Sequence, residues 1–313
     1  MIINKNLKLP KLKKVLITGA LGQDGLILSK LYLKKKFKVY GFIKKGQESK
    51  IKKIIYKIND LKSKSDIKIH LETIKPNIIL HLASTNNSHL KRKDKETYKI
   101  DYLKNMKCTK NLLDSIVETN LKTNLIFAGS SLMFSQNFKK TVSEKNRFRS
   151  NEYYGQYKID SHKLILLMKK KHNINATTAI LFNHDSEFRN KKFLIPKLVD
   201  SFKNRDKDFI ENIYKLNISG DFSHADDICK GIYNLSISKK NIDKLIISSG
   251  KRFHINKIIN YLEKYYDLKI KKNFFKNNKN FNFLGSNKLA QKIINYKVKK
   301  NSIQACKDII RSI

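Results

Sequence analysis

The chain is short of proline, glycine, cysteine and acidic residues, and each shortage removes a class of explanation. Among 313 residues there are only 3 Pro and 11 Gly, so no Pro/Gly-rich linker marks a break between domains. The 3 cysteines, Cys108, Cys229 and Cys306, are far apart and odd in number. They fit neither a CxxC metal pattern nor a disulfide framework, which points to a reducing, cytoplasmic setting. No apolar run approaches membrane-spanning length, and the basic opening MIINKNLKLPKLKK lacks the apolar stretch of a signal peptide. A soluble protein with no membrane partner is expected. The 26 Asp plus Glu face 67 Lys plus Arg, a formal charge of +41. Lysines fall in nearly every segment together with Ile and Asn, without a basic stripe interleaved with aromatics and without a basic tail. That pattern reads as diffuse compositional bias and predicts no specific nucleic-acid partner, although such a charge still draws anionic substrates inward.

What is present is enough for a sizeable core. A hydrophobic fraction of 40% and a charged fraction of 30% keep the chain out of the disordered class. The length allows one large α/β domain, or one domain with a smaller one appended. KKVLITGALGQDGLILSKLYLKKKFKVYGFIKK, residues 13–45, reads as an apolar strand, a glycine turn, a helix with Leu26, Leu28, Leu31 and Leu33 among its apolar positions, and a second strand. Apolar runs follow at NIILHL (77–82), NLIFA (124–128), TTAILF (177–182) and LIISS (245–249), separated by helical patterns at 97–118 and 154–171. Continuous apolar strands alternating with helices predict a parallel sheet covered on both faces. The expected fold class is α/β: a doubly wound dinucleotide-binding sheet over residues 1–182, completed by a strand near 245–249, and a smaller α+β substrate domain over 183–313. From Ile255 onward the chain reads as short helices around a weak strand, LKIKK (268–272).

Two motifs carry chemistry. Gly19, Gly22 and Gly25, with Gln23 and Asp24 between them, form a GxxGxxG turn at the exit of the first strand. Glycines allow close backbone approach, and the helix that follows aims free N–H groups at a pyrophosphate. An ordinary helix-entry turn is the alternative; strand before, helix after and strand again favour the dinucleotide site. The second strand ends at Lys44 and Lys45 instead of an acidic residue, which leans toward NADP over NAD, unless these are simply two more lysines. The second motif is Tyr154-Gly-Gln-Tyr-Lys158 at a helix start. Residues four apart share a helical face, so Lys158 is expected to lower the Tyr154 phenol pKa and make it an acid/base. A serine at the end of the neighbouring strand, in AGSS (128–131), would bind the same substrate oxygen. His81, His89, His184 and His224 lack the spacing of a metal pair, so structural hydrogen bonding is expected for each and no metal site is assigned.

With these motifs on the page, the sequence resembles the extended short-chain dehydrogenase/reductases, the NAD-dependent epimerase/dehydratase family with its Rossmann fold, and within them the GDP-mannose 4,6-dehydratase group. The likeness is collinear: TGALGQDG at the glycine turn, Asp60-Leu61 near the adenine, HLAS (81–84) with Leu82 and Ala83 over the cofactor, Asn105 to Asp114 in the central helix, ILFNHDSEFR (180–189), FSHADD (222–227) and Leu284-Gly285. The resemblance implies a nucleotide-sugar enzyme for a GDP-mannose-like substrate, with catalytic Ser130, Tyr154 and Lys158. It also implies substrate contacts from Ser130, Ser131 and Asn183, and a homodimer through helices 97–119 and 151–172; Arg189 and Lys197 are candidate substrate contacts on account of their charge. Tyr154 is then the base at sugar C4, Lys158 also binds the nicotinamide ribose, and Ser130 orients the C4 oxygen.

Several positions depart from the group. Leu132 stands where its dehydratases carry the glutamate that acts at C6, and a leucine exchanges no proton. Losing a general acid/base typically lowers a rate by about 10²–10⁴, so dehydration is expected to be slow unless Glu144, Glu152 or Glu187 substitutes. Gly220 replaces an arginine, whose phosphate contacts Arg189, Lys191, Lys192 or Lys197 could replace; a solvated loop face is the equal alternative for these positions. Phe134 replaces a tyrosine, Cys108 replaces a helix glycine, and the connection after Lys45 is shorter. A C4 epimerase or 4-keto reductase, which does not need the glutamate, is the second reading. A cofactor-binding regulator without activity is the third, and an intact Ser, Tyr and Lys set argues against it.

Overall fold

Alternation along the first strand sets the architecture. A computed structural model describes residues 12–48, 50–85, 95–134, 141–273 and 283–313. In β1 (Lys14–Thr18), Val15 and Ile17 point to one face of the sheet and Leu16 to the other, and all three are fully buried. Both faces must therefore be covered, which the crossover helices of parallel strands do. α1 (Gln23–Lys34) leads to β2 (Lys38–Ile43), then come β3 (Ile55–Ile58), α2 (Lys64–Ile74), β4 (Ile78–His81), α3 (Lys95–Glu118), β5 (Asn124–Ser130), α4 (Tyr153–His172) and β6 (Asn175–Leu181). β7 (Asn183–Asp185), α5 (Leu194–Lys203), α6 (Lys207–Leu216), β8 (Ser219–His224) and α7 (Ala225–Ile237) precede β9 (Lys244–Ile247). The chain ends with β10 (Arg252–His254), α8 (Asn256–Tyr266), α9 (Lys288–Ile294) and α10 (Ser302–Arg311).

The main sheet has seven parallel strands in the order β3-β2-β1-β4-β5-β6-β9. Val15 faces Val39 on one side and Ile78 on the other, so the strand order reverses between β1 and β4. One face packs on α1, α7 and α9 through Leu28, Tyr32, Ile228, Ile232 and Ala290. The opposite face packs on α2, α3 and α4 through Leu71, Leu112, Ile116, Tyr157 and Ile165. Each fully buried aliphatic side chain stabilises by about 1.5–3 kcal/mol relative to exposure, and these two layers hold most of the molecule's core. No helix among the described residues is long and apolar enough to cross a membrane.

A second, three-stranded sheet has the order β10-β8-β7, with β7 and β8 parallel and β8 and β10 antiparallel. A separate apolar cluster joins α5, α6, α8 and α10 through Leu198, Phe202, Ile210, Ile259 and Ile309. The strand read at LKIKK does not form: residues 268–272 are irregular. Their amides are taken by carboxylates instead of a neighbouring strand, Ile270 N–H donating to Glu263 at 3.2 Å and Lys271 N–H to Glu211 at 3.0 Å. The three cysteines are free, and Cys229 and Cys306 are buried.

Asp221 of β8 ties the small sheet to the main one. Its buried carboxylate accepts from Ser249 N–H (2.8 Å), Ser249 Oγ (2.6 Å), Gly250 N–H (2.9 Å) and Gly285 N–H (3.2 Å). Removing one acceptor strands several donors, each of which is costly to leave unpaired. Asp221→Ala is therefore expected to destabilise the chain by about 3 kcal/mol or more in urea unfolding, with Asp221→Asn intermediate; equal stability of all three proteins would contradict this role.

Candidate active site

The glycine turn sits where β1 meets β4. Gly19 has a φ of +71°, and a Cβ there would lie 2.9 Å from the Ala83 nitrogen. A Cβ on Gly25 would fall 2.4 Å from the Gly19 carbonyl oxygen, so the helix can start this close only with glycine. Gly22 is the N-cap of α1 and no side chain caps it, as is also the case at α4, α5, α8 and α9, whereas Ser63, Asp206, His224 and Asn301 cap α2, α6, α7 and α10. An uncapped helix start at the end of a parallel strand, built on glycines, fits an anionic diphosphate.

A buried polar chain fixes the floor of this crevice. Ala83 N–H donates to Thr18 Oγ1 (3.1 Å), which meets His81 Nδ1 (2.9 Å); His81 Nε2 meets Thr109 Oγ1 (3.0 Å), and Thr109 meets the Tyr157 hydroxyl (3.3 Å). Burial, and secondarily the charge of Lys158, pushes the His81 ring down to about 3. It is a neutral hydrogen-bonding residue, as expected for His81. Leu82 and Ala83 continue the chain beside the glycine turn and are half-buried.

On the other side of the crevice, α4 packs against the end of β5. Lys158 is fully buried, its ammonium donates to the Ala128 carbonyl at 2.7 Å, and it lies 4.7–5.3 Å from the ring centres of Phe127, Tyr154 and Tyr157. Burial pushes the amine down to about 7. Ser130 closes β5 and accepts from the Leu132 N–H at 3.2 Å, which leaves its own O–H available to donate. Ser131 and Leu132 are half-buried beside it, and the Leu132 carbonyl abuts Gly155 so closely that a Cβ there would come within 2.4 Å.

Tyr154 departs from expectation. Its enclosed position raises the phenol pKa, the Ser84 hydrogen bond and the charge of Arg189 act in the opposite direction, and Asp24 adds to the rise. Lys158 lies over the ring face and donates to the Ala128 carbonyl, not to the phenol oxygen, so in this structure it does not bring the phenol down. Ser84, whose Oγ lies 3.5 Å from the Tyr154 hydroxyl, is a site residue that motif spacing missed. A single serine in HLAS carries no periodic signal.

The remaining residues divide between two rims. Lys44 and Lys45 are exposed at the end of β2. Asp60 pairs with Lys62 at 2.9 Å, and its carboxyl is held low chiefly by that hydrogen bond, with Lys44 contributing charge. Leu61 is buried with φ +65°, held by its N–H to Asn59 Oδ1 (2.8 Å). Opposite, Asn183 is exposed at the start of β7, while Arg189 stacks on Phe193 (3.6 Å) and pairs with Asp185 (3.2 Å). Lys197 is exposed on α5 with its ammonium over Phe209 at 4.2 Å. Gln23 is buried and faces this rim, donating to the His184 carbonyl (3.2 Å) and accepting from Ser186 Oγ (3.1 Å). Asp24 meets His184 at 3.0 Å. His224 pairs with Asp308 at 3.0 Å and caps α7, and His89 lies outside the described residues. Glu144 accepts from Ile246 N–H at 2.9 Å, which occupies the carboxylate in holding the sheet. Among the described residues no cluster of His, Cys, Asp or Glu could hold a metal ion.

Comparison with known proteins bears on the family and the fold. The GDP-mannose 4,6 dehydratase family matches residues 16–305. The chain is 25% identical over 272 residues to GDP-mannose 4,6 dehydratase 2 of Caenorhabditis elegans, covering 79% of this chain and 69% of that one. To the human GDP-mannose 4,6 dehydratase it is 24% identical over 298 residues, covering 89% and 78%. In fold it is similar to a UDP-glucuronic acid 4-epimerase from Bacillus cereus in complex with NAD, with TM-score 0.79, 19% identity and 96% and 98% of the chains covered. A UDP-glucose 4-epimerase from Thermotoga maritima with UDP-glucose gives TM-score 0.81, 12% identity and the same 96% and 98% coverage.

A buried ammonium held by one carbonyl predicts a stability conflict. Lys158→Met is expected to stabilise the cofactor-free chain by about 1–4 kcal/mol at pH 7. The folded amine titrates near 7 and the unfolded amine near 10.5. Between those values the unfolded chain binds the extra proton, so wild-type stability rises with pH and the variant's advantage shrinks. Thermal unfolding of both proteins across that range checks it; a variant that is less stable at every pH would contradict it.

Proposed function

The chain belongs to the GDP-mannose 4,6-dehydratase family, and we propose that it is a nicotinamide-dependent nucleotide-sugar enzyme that oxidises the sugar at C4. The observation that carries this reading is that Tyr154 and Lys158 share one face of α4 at the end of β5, where Ser130 presents a hydroxyl. The uncapped start of α1 with Gly19, Gly22 and Gly25 would hold the cofactor diphosphate. Lys44 and Lys45 would neutralise a ribose 2′-phosphate, favouring NADP with NAD as the alternative. When bound, the nicotinamide supplies the hydride acceptor.

The protein's own part is proton handling and orientation. Tyr154 takes the C4 hydroxyl proton as the C–H bond breaks, Ser130 donates a hydrogen bond to the same oxygen, and the Lys158 ammonium stabilises the phenolate once a bound ligand draws it from Ala128. Ser131, Asn183, Arg189 and Lys197 are the proposed contacts to the nucleotide sugar, which is GDP-mannose-like, in a cytoplasmic setting. A C4 epimerase or 4-keto reductase is the second reading. It is favoured by Leu132 in place of an acid/base and by the engagement of Glu144 with Ile246.

Incubation with a panel of nucleotide sugars and mass spectrometry separates these outcomes. Loss of water marks a dehydratase; unchanged mass or a two-hydrogen change marks the second reading. Tyr154→Phe is expected to lower turnover by about 10²–10⁴ while still binding NADPH, and Leu132→Glu to raise water loss. Failure of the wild-type protein to bind either nicotinamide cofactor would overturn both readings.

A homodimer through α3 and α4 is proposed on a separate observation. Ile100 and Leu103 of α3 are 42% and 55% exposed, and Tyr153 and Leu167 of α4 are 39% and 48% exposed. Paired helices that leave apolar side chains outward fit self-association. Sedimentation of the wild-type chain is expected to give a dimer and Leu103→Glu with Leu167→Glu a folded monomer; a monomeric wild type would contradict it.

A further inference from the structure

His184 of β7 and Asp24 of α1 are 160 residues apart in sequence, yet they form a largely buried pair, with side chains 9% and 20% exposed. The ring is used on both sides. Its Nδ1 lies 2.6 Å from the Phe182 carbonyl, and its Nε2 lies 3.0 and 3.1 Å from the two Asp24 carboxylate oxygens. A carbonyl and a carboxylate only accept, so both ring nitrogens must donate and the ring is an imidazolium. Burial alone would lower the ring's pKa; the Asp24 carboxylate overrides it and raises the pKa from 6.5. Burial likewise opposes ionisation of Asp24, and His184, helped by Arg189, brings its carboxyl down to about 2. Other groups near the pair are Arg189, Asp185 and Gln23, with Tyr154 of α4, whose phenol feels the Asp24 charge, Cys229 of α7, whose thiol lies 3.9 Å from the Asp24 carbonyl, and His224 of β8 with Asp308 of α10.

Asp24 lies in the first turn of α1, the turn whose free N–H groups would face the cofactor diphosphate in the functional reading above. A carboxylate there opposes an anionic ligand unless a cation cancels it. His184 is that cation, and it comes from the strand that also carries Asn183. Gln23 and Ser186 add two more hydrogen bonds across the same seam.

We propose that His184 is a positioning residue that neutralises Asp24 and clamps the substrate-side strand β7 onto the first turn of the cofactor helix. Cofactor and nucleotide sugar thereby favour each other's binding. This rests on the functional reading above for the identity of the two ligands, whereas the clamp itself does not. Two segments locked as one body share the ordering that either ligand induces, and such coupling is reciprocal.

The linkage has a definite sign. His184, with its pKa raised on folding, stabilises in full below 6.5 and loses that contribution as pH rises through the folded value. Asp24, lowered from 3.8, contributes above 3.8 and loses it as pH falls toward about 2.

The test has two arms. In the cofactor-free protein, nitrogen-15 NMR of labelled histidines is expected to show both His184 ring nitrogens protonated at pH 7, with Asp24→Asn lowering the pH at which one is lost. A singly protonated ring at pH 7 would overturn the clamp whatever the enzyme's substrate. The chain has no tryptophan, so nicotinamide fluorescence reports NADPH binding directly. His184→Gln leaves Asp24 uncompensated and is expected to weaken NADPH by about tenfold, and to remove the fall in affinity at alkaline pH that is expected of the wild type as His184 loses its proton. The double variant with Asp24→Asn is expected to recover most of that loss. If His184→Gln, folded by circular dichroism, binds like wild type, or the double variant is no better than the single, the positioning role is wrong. If wild type binds no NADPH, the functional reading fails and the NMR arm still decides the clamp.

Discussion

The backbone contact between Gly19 and Ala83 is the constraint on which the site depends. Strand order reverses between β1 and β4, so the loops that leave these strands diverge and open a crevice at the carboxyl edge of the sheet. The crevice keeps its shape because Gly19 lies against the Ala83 nitrogen, which donates in turn to Thr18. From that point the polar chain through His81 and Thr109 reaches Tyr157, one turn from Tyr154 and next to Lys158, the tyrosine and lysine of the proposed chemistry. Any side chain at residue 19 would separate the two loops, and with them the cofactor turn from α4.

The site places chemistry above stability. Lys158 holds a cation in the interior with one carbonyl and three aromatic rings as company, where a hydrocarbon of the same volume would pack at less expense. Tyr154 is raised by enclosure until something else supplies positive charge at its oxygen. Tyr154 is therefore held away from its working protonation state in the ligand-free chain, and Lys158 sits where its charge is costly, which fits residues whose environment is completed by bound ligands. Leu132 has the opposite character. It adds apolar surface where a dehydratase would need a proton carrier, and it leaves the Ser130 hydroxyl oriented by a backbone N–H.

Local periodicity made much of this legible. The βαβ unit, the glycine spacing, the YxxxK pair and the family likeness all lie in short stretches where hydrophobic pattern and turn chemistry agree, and the parallel sheet and family followed. Contacts between distant segments were not legible. Nothing near Asp24 announces His184, nothing around Asp221, the residue before FSHADD, shows it gathering four donors, and Ser84 beside Tyr154 has no spacing to betray it. The short strands β3, β7 and β10 are too brief for a period to show. LKIKK alternates well enough to suggest a strand, but Glu263 and Glu211 compete for its amides and win. The direction of the Tyr154 shift was missed because helical spacing puts Lys158 on the correct face without saying which atom it bonds.

The central claim is that this chain breaks a C–H bond at sugar C4. The most direct measurement is a single turnover with GDP-mannose deuterated at C4, following the label by mass spectrometry in sugar and cofactor. The account predicts a slowed reaction and deuterium on the nicotinamide, or returned from it to the sugar. Turnover at an unchanged rate with the label fixed at C4 throughout would contradict it.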